Sequence, residues 1–232
     1  MSNLGEADLH IFSALALALG LLVATADAAG AADREVGGQL ASGGNAQGAA
    51  ACVACHAPRP GPQQGGAPLL AGQAAEYVYK QLNDFASDKR QNPIMSPVAK
   101  ALGDADRQNV AAYYGALNFS APGTSANSVT SDQPQDTQKL LTIGNQAKGV
   151  QACGNCHGPS AAGEPPLNPQ LAGQFASYTQ AQLQAFRNGE RRNDVAAVMR
   201  EIASRLSDED IASLAGYLAS LPPTSATPPD RS

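Results

Sequence analysis

The chain has 232 residues, of which 43% are apolar and 15% charged, and its net charge of −5 includes no basic stripe, which argues against nucleic acid as a partner. Trp is absent and aromatics make up 5%, little bulk for a core of this length. Such a chain packs loosely or packs around an apolar body that it does not encode.

The first segment runs apolar from Leu9 to Ala26, interrupted by His10, Ser13 and Thr25, and reaches Ala26-Asp27-Ala28, a small-x-small site of the kind signal peptidase cuts. The run is at the short end for a spanning helix. Its flank, with Glu6 and Asp8, is acidic where an export signal is normally basic. Residues 1–28 read as a signal peptide or as an N-terminal membrane anchor over residues 9–26, with a buried hydrophobic helix as a third reading. Both leading readings place the rest of the chain in the periplasm.

Residues 35–119 form a first domain. A short helix leads into Cys52-Val53-Ala54-Cys55-His56, a C-x-x-C-H run that marks attachment of a c-type haem. Two thiols on one turn reach the two vinyl groups of a porphyrin, and the adjacent imidazole points beneath the ring at the iron. A middle helix spans Tyr77 to Phe85, Met95 follows, and Val110, Tyr113 and Leu117 give the apolar stripe of a closing helix. Residues 120–136 are rich in Ser, Thr, Pro, Gly, Asn and Gln and read as a linker.

Residues 137–224 repeat this plan, and 225–232 form a tail. A shift of 101 positions lays Cys52–His56 onto Cys153-Gly154-Asn155-Cys156-His157, Ala71-Gly72-Gln73 onto Ala172-Gly173-Gln174, and Tyr77, Phe85 and Arg90 onto Tyr178, Phe186 and Arg191. A three-residue insertion in the second copy then changes the shift to 104, which aligns Met95 with Met199 and Tyr113 with Tyr217. Tyr178 to Phe186 is the second middle helix. Ser207 with Asp210 caps a last helix whose Ile211, Leu214, Leu218 and Leu221 share one face, and Pro222-Pro223 ends it. Strand patterns are weak throughout. The reading is all-α.

Cys52, Cys55, Cys153 and Cys156 are all the cysteines present. Two C-x-x-C disulfides, or a four-cysteine zinc site joining the copies, would also use them. Neither explains a His directly after both pairs or a Met downstream in both copies. Of the three His, His10 lies in the leading segment, so His56 and His157 are one per haem. Of the three Met, Met1 is the initiator, and Met95 and Met199 stand in register, one per haem. A lone Met is usually core filler. Two in register read as axial ligands that complete His/Met coordination and leave no open position for substrate. Pro68 and Pro169 stand where their carbonyls could take the second ring N–H of each His, or where they simply make rigid turns. Arg90, Arg191 and Arg192 read as a solvated face, with propionate pairing as the alternative; Asn92 and Asn193 are candidates for hydrogen bonds near the methionines.

These features together resemble class I cytochrome c: C-x-x-C-H, then P-x-L-A-G-Q, Tyr with Gln-Leu-x-x-Phe, a Met after an Asn, and, in the second copy, the closing Leu-Ser-Asp-Glu-Asp-Ile-Ala run. Their duplication resembles the cytochrome c4 family, over about Gln39 to Pro222. The resemblance implies two tandem class I cytochrome c domains, each a small helical fold wrapped around a covalently bound haem c, packed face to face. It implies an electron carrier and no enzyme, with a bc1-type complex as donor, a terminal oxidase as acceptor, and a respiratory chain as setting. A haem-bearing subunit of a periplasmic sulfur-oxidising enzyme, of the flavocytochrome sulfide dehydrogenase or thiosulfate dehydrogenase type, shares the duplicated fold and is the alternative.

Overall fold

The computed structural model describes residues 31–56, 66–118 and 135–222. The leading segment 1–28, the linker up to residue 134 and the tail 225–232 lie outside the described residues.

The first half begins with α1 (Arg34–Gly43), where Asp33 Oδ1 accepts from the Glu35 and Val36 N–H groups at 2.8 and 3.2 Å. After a 3-10 turn at Cys52–Ala54 come α2 (Ala75–Ala86), α3 (Met95–Lys100) and α4 (Asp104–Ala116). α1 lies unusually close to α4 because Gly37 has no side chain: a Cβ there would stand 2.1 Å from the Asn109 carbonyl oxygen. α2 turns Val78, Leu82 and Phe85 inward to meet Val110, Ala111 and Tyr114 of α4 in one core. Of the Val110, Tyr113, Leu117 stripe read from sequence, Val110 is in the core and Tyr113 and Leu117 pack against it, while Tyr114, one residue on, joins the core itself. Tyr114 is fully buried, and Tyr113 packs against the rim of the core.

The second half opens with α5 (Gln135–Thr142), so Gln135 and Asp136, which composition assigns to the linker, form a first helical turn. A two-residue antiparallel hairpin follows, β1 (Gly144–Asn145) on β2 (Val150–Gln151), too short to leave a pattern in the sequence. Then come α6 (Gly154–His157), α7 (Ala176–Arg187), a 3-10 turn at Val195–Ala197, α8 (Val198–Ala203) and α9 (Asp208–Ser220). Ser207 caps α9 as expected: its Oγ accepts from Asp210 N–H at 3.1 Å, and its own N–H donates to Asp210 Oδ2 at 2.8 Å. Ile211, Leu214 and Leu218 are buried with Leu140, Leu141 and Leu183 in a second core. Each such side chain contributes about 2 kcal/mol by burial. The halves keep separate cores.

The boundary between them follows a pseudo-twofold axis. Arg90 Nη1 donates to Gln81 of its own half at 2.8 Å, and Nη2 reaches Tyr178 Oη at 3.0 Å and Gln182 Oε1 at 2.7 Å in the other. Arg191 mirrors it, donating to Gln182 at 2.9 Å and, across the boundary, to Tyr77 Oη at 3.3 Å and Gln81 Oε1 at 3.1 Å. Each guanidinium also stacks on an aromatic ring of its own half, Phe85 at 4.6 Å and Phe186 at 4.4 Å. The solvated-face reading of Arg90 and Arg191 is therefore corrected: both are only 9% exposed. Contacts between domains leave no local periodicity in a sequence, so nothing marked them as buried. Arg192 is exposed, as read.

Burial alone would raise the Tyr77 phenol, but Arg191 and Arg90 outweigh it and hold the group below its ordinary value. Arg90, which burial would lower, is raised by Tyr178 and Tyr77. One part of the boundary breaks the symmetry. Asn193 Nδ2 donates to Gln81 Oε1 at 2.9 Å and Asp84 Oδ2 at 2.7 Å, and Lys80 Nζ donates to the Asn193 carbonyl at 2.8 Å. Asp84 has Ala185 as its counterpart, so this link exists once.

Candidate functional site

Each C-x-x-C-H run forms a tight turn. The His56 N–H donates to the Cys52 carbonyl at 2.8 Å, and His157 N–H to the Cys153 carbonyl at 2.9 Å. One helical turn thus sets both thiols and the imidazole of a run side by side. All four cysteines are free, and no three His, Cys, Asp or Glu side chains gather as a metal cluster among the described residues. The disulfide and shared-zinc readings therefore have no geometry to support them. Burial raises the Cys52 thiol and pushes Cys153 up to about 11.

Both imidazoles are buried, at 8% exposure each. His56 Nδ1 faces the Pro68 carbonyl at 2.8 Å, and His157 Nδ1 faces the Pro169 carbonyl at 2.8 Å. A carbonyl can only accept, so Nδ1 carries the proton and Nε2 keeps the lone pair that a metal needs. Burial lowers both imidazoles, with the carbonyl bonds opposing it, which favours the neutral ligand form. The two prolines thus supply the carbonyls that their sequence positions offered. Tyr114, missed in the sequence, adds a bond from its hydroxyl to the His56 carbonyl at 3.1 Å.

The methionines arrive by different routes. Met95 packs at the edge of the first core with Cys52, and Met199 at the edge of the second with Cys153. Each half therefore brings its own thiol and thioether to one core. Asn92 Oδ1 accepts from the Ile94 and Met95 N–H groups, both at 2.9 Å, and so starts the helix that carries Met95. Asn193 has no such task and serves the boundary instead. Two thiols, a neutral buried imidazole and a thioether per half are the donor set that fits a covalently attached haem, supplied twice.

No helix among the described residues is long and apolar enough to cross a membrane.

Known proteins resemble the chain over both halves. The cytochrome c family profile matches residues 142–222, and the profile described as cytochrome c oxidase, cbb3-type, subunit III matches residues 39–113. Cytochrome c4 of Thiocapsa roseopersicina is 39% identical over 180 residues, covering 77% of this chain and 91% of that protein. The thiosulfate dehydrogenase electron acceptor of Stutzerimonas stutzeri (strain A1501) is 40% identical over 180 residues, covering 77% and 82%. The crystal structure of reduced recombinant cytochrome c4 from Pseudomonas stutzeri superposes with a TM-score of 0.69 at 32% identity, covering 82% of this chain and all of that one.

Proposed function

The chain belongs to the cytochrome c4 family of dihaem electron-transfer proteins, and on that premise we propose which residues hold its two haem c groups and which partners they serve. Cys52 and Cys55 would hold the first haem by thioether bonds, with His56 and Met95 as the residues that would bind its iron. Cys153, Cys156, His157 and Met199 would do the same for the second. The haem supplies a one-electron couple; the protein sets its poise. Each Pro carbonyl fixes one imidazole ring, and each thioether favours the ferrous state relative to a second imidazole. With an imidazole and a thioether both committed to the iron, the site would be suited to passing electrons and closed to substrate.

The observation that carries this reading is the matched pair of imidazoles. Each is held at Nδ1 by a carbonyl 2.8 Å away, beside a core that also receives one Cys and one Met of the same copy.

The protein is exported to the periplasm, takes electrons from a bc1-type complex and delivers them to a terminal oxidase. The 40% identity to a thiosulfate dehydrogenase electron acceptor favours a second reading, in which the donor is a thiosulfate-oxidising enzyme. Reduction of the purified ferric protein by a bc1-type complex with quinol, and by thiosulfate dehydrogenase with thiosulfate, separates them. The first donor is expected to be at least tenfold faster; the reverse ratio replaces it with the second. A colourless product from a host that matures c-type cytochromes would end both.

A further inference from the structure

The peptide group after each proline faces both halves of the molecule at once. Its carbonyl, Pro68 O or Pro169 O, takes the imidazole Nδ1–H of its own half. Its N–H, on Leu69 or Gln170, points across the boundary. Leu69 N–H donates to Gln174 Oε1 at 3.0 Å, and Gln170 N–H donates to Gln73 Oε1 at 3.0 Å. Each glutamine closes a second bond to the same residue, Gln174 Nε2 to the Leu69 carbonyl at 3.1 Å and Gln73 Nε2 to the Gln170 carbonyl at 2.7 Å.

The glutamines are themselves held firmly. Gly72 and Gly173, with φ of +75° and +72°, turn the chain just before them. Their N–H groups donate to the Tyr114 and Leu218 carbonyls at 3.0 and 2.9 Å, which ties each turn to a closing helix. Both glutamines are 4% exposed, so water does not compete for their amides. Imidazole, peptide and glutamine thus form a chain of two hydrogen bonds through one amide, and the pseudo-twofold makes it twice.

We propose that Gln73 and Gln174 are positioning residues that set the donor strength of the axial histidine in the opposite half, Gln73 acting on His157 and Gln174 on His56. This rests on the reading of His56 and His157 as iron ligands. An amide that gives up its N–H to an acceptor gathers charge on its carbonyl oxygen, and hydrogen bonds in such a chain strengthen one another. The carbonyl then pulls harder on Nδ1–H, and the imidazole becomes a more basic ligand that favours ferric iron. Loss of the glutamine acceptor therefore makes the haem of the other half easier to reduce.

The test uses the holoprotein, with each haem followed through its axial Met methyl resonance during a redox titration. Gln73→Leu is expected to raise the reduction equilibrium constant of the second haem about threefold, about 30 mV at 59 mV per tenfold, and to leave the first unchanged. Gln174→Leu is expected to do the mirror image. Gln73→Glu keeps an acceptor oxygen in either protonation state, so the second haem stays at or below its wild-type potential. Equal shifts of both haems in Gln73→Leu, a shift confined to its own half, no shift, or a rise in Gln73→Glu overturns the proposal. His157→Gly with added imidazole checks the premise separately. Loss and rescue of one low-spin spectrum upholds the ligand assignment, so unmoved potentials would then count against the glutamines alone.

Discussion

The two halves deliver a methionine to equivalent places by different means. In the first, Asn92 caps the helix directly through its side-chain oxygen, and the backbone is relaxed. In the second, three inserted residues carry the chain through Ala196 and Ala197, both left-handed at φ +51° and +60°. Asp194 replaces the cap, accepting from Arg200 N–H at 3.0 Å and from Arg200 Nε at 2.8 Å. A left-handed Ala costs about 1–2 kcal/mol. The arginine pair at the boundary behaves in the opposite way, since Arg90 and Arg191 repeat each other's partners almost bond for bond. The loops that lead to the two methionines have diverged, and the seam between the halves has kept its symmetry.

That contrast can be broken most directly at the two methionines proposed as ligands. Met95→Ala and Met199→Ala are each expected to remove about half of the sulfur-to-iron charge-transfer absorption and to lower the potential of one haem. Unaltered spectra in both would show that the two routes do not lead to iron. Next in size is the seam. Arg90→Ala and Arg191→Ala each leave one Tyr hydroxyl without its guanidinium and take one of the shared donors from Gln81 and Gln182, and should cost about 2–4 kcal/mol in urea unfolding of the holoprotein. Costs equal within about 0.5 kcal/mol fit the twofold arrangement. A gap well beyond that would assign the strength of the seam to the one-sided Lys80–Asp84–Asn193 link. The smallest effect sharpens the difference between the loops: Ala197→Gly is expected to stabilise the second half by up to about 1 kcal/mol, the relief of φ > 0 being partly offset by the freer unfolded chain. A loss of stability there would mean that Ala197 is not strained.

The covalent chemistry was legible because it dictates residue order. A porphyrin with two vinyl groups and one iron requires Cys, Cys and His at fixed spacing, and the register of two scarce Met residues is read from the repeat alone. The prolines were legible for the same reason, standing at matched distances after His56 and His157. Side chains whose partners lie in the other half were not. Arg90 and Arg191 look like any surface pair when read along the chain, and Gln73 and Gln174 mark the repeat without showing that they reach across it. Tyr114 was hidden by its neighbour Tyr113, which aligns with Tyr217 in the repeat although the helix turns Tyr114 inward. The insertion before Met199 showed as a change of shift, but its left-handed turn lies in φ/ψ space that Ala rarely enters.

The seam has a further consequence in the dynamics of charge. Its guanidinium, phenol and amide dipoles are already locked against one another, so few of them can swing when the charge on either side changes. Electron transfer rates depend on how far the surroundings must rearrange, and polar groups that were oriented when the chain folded rearrange little.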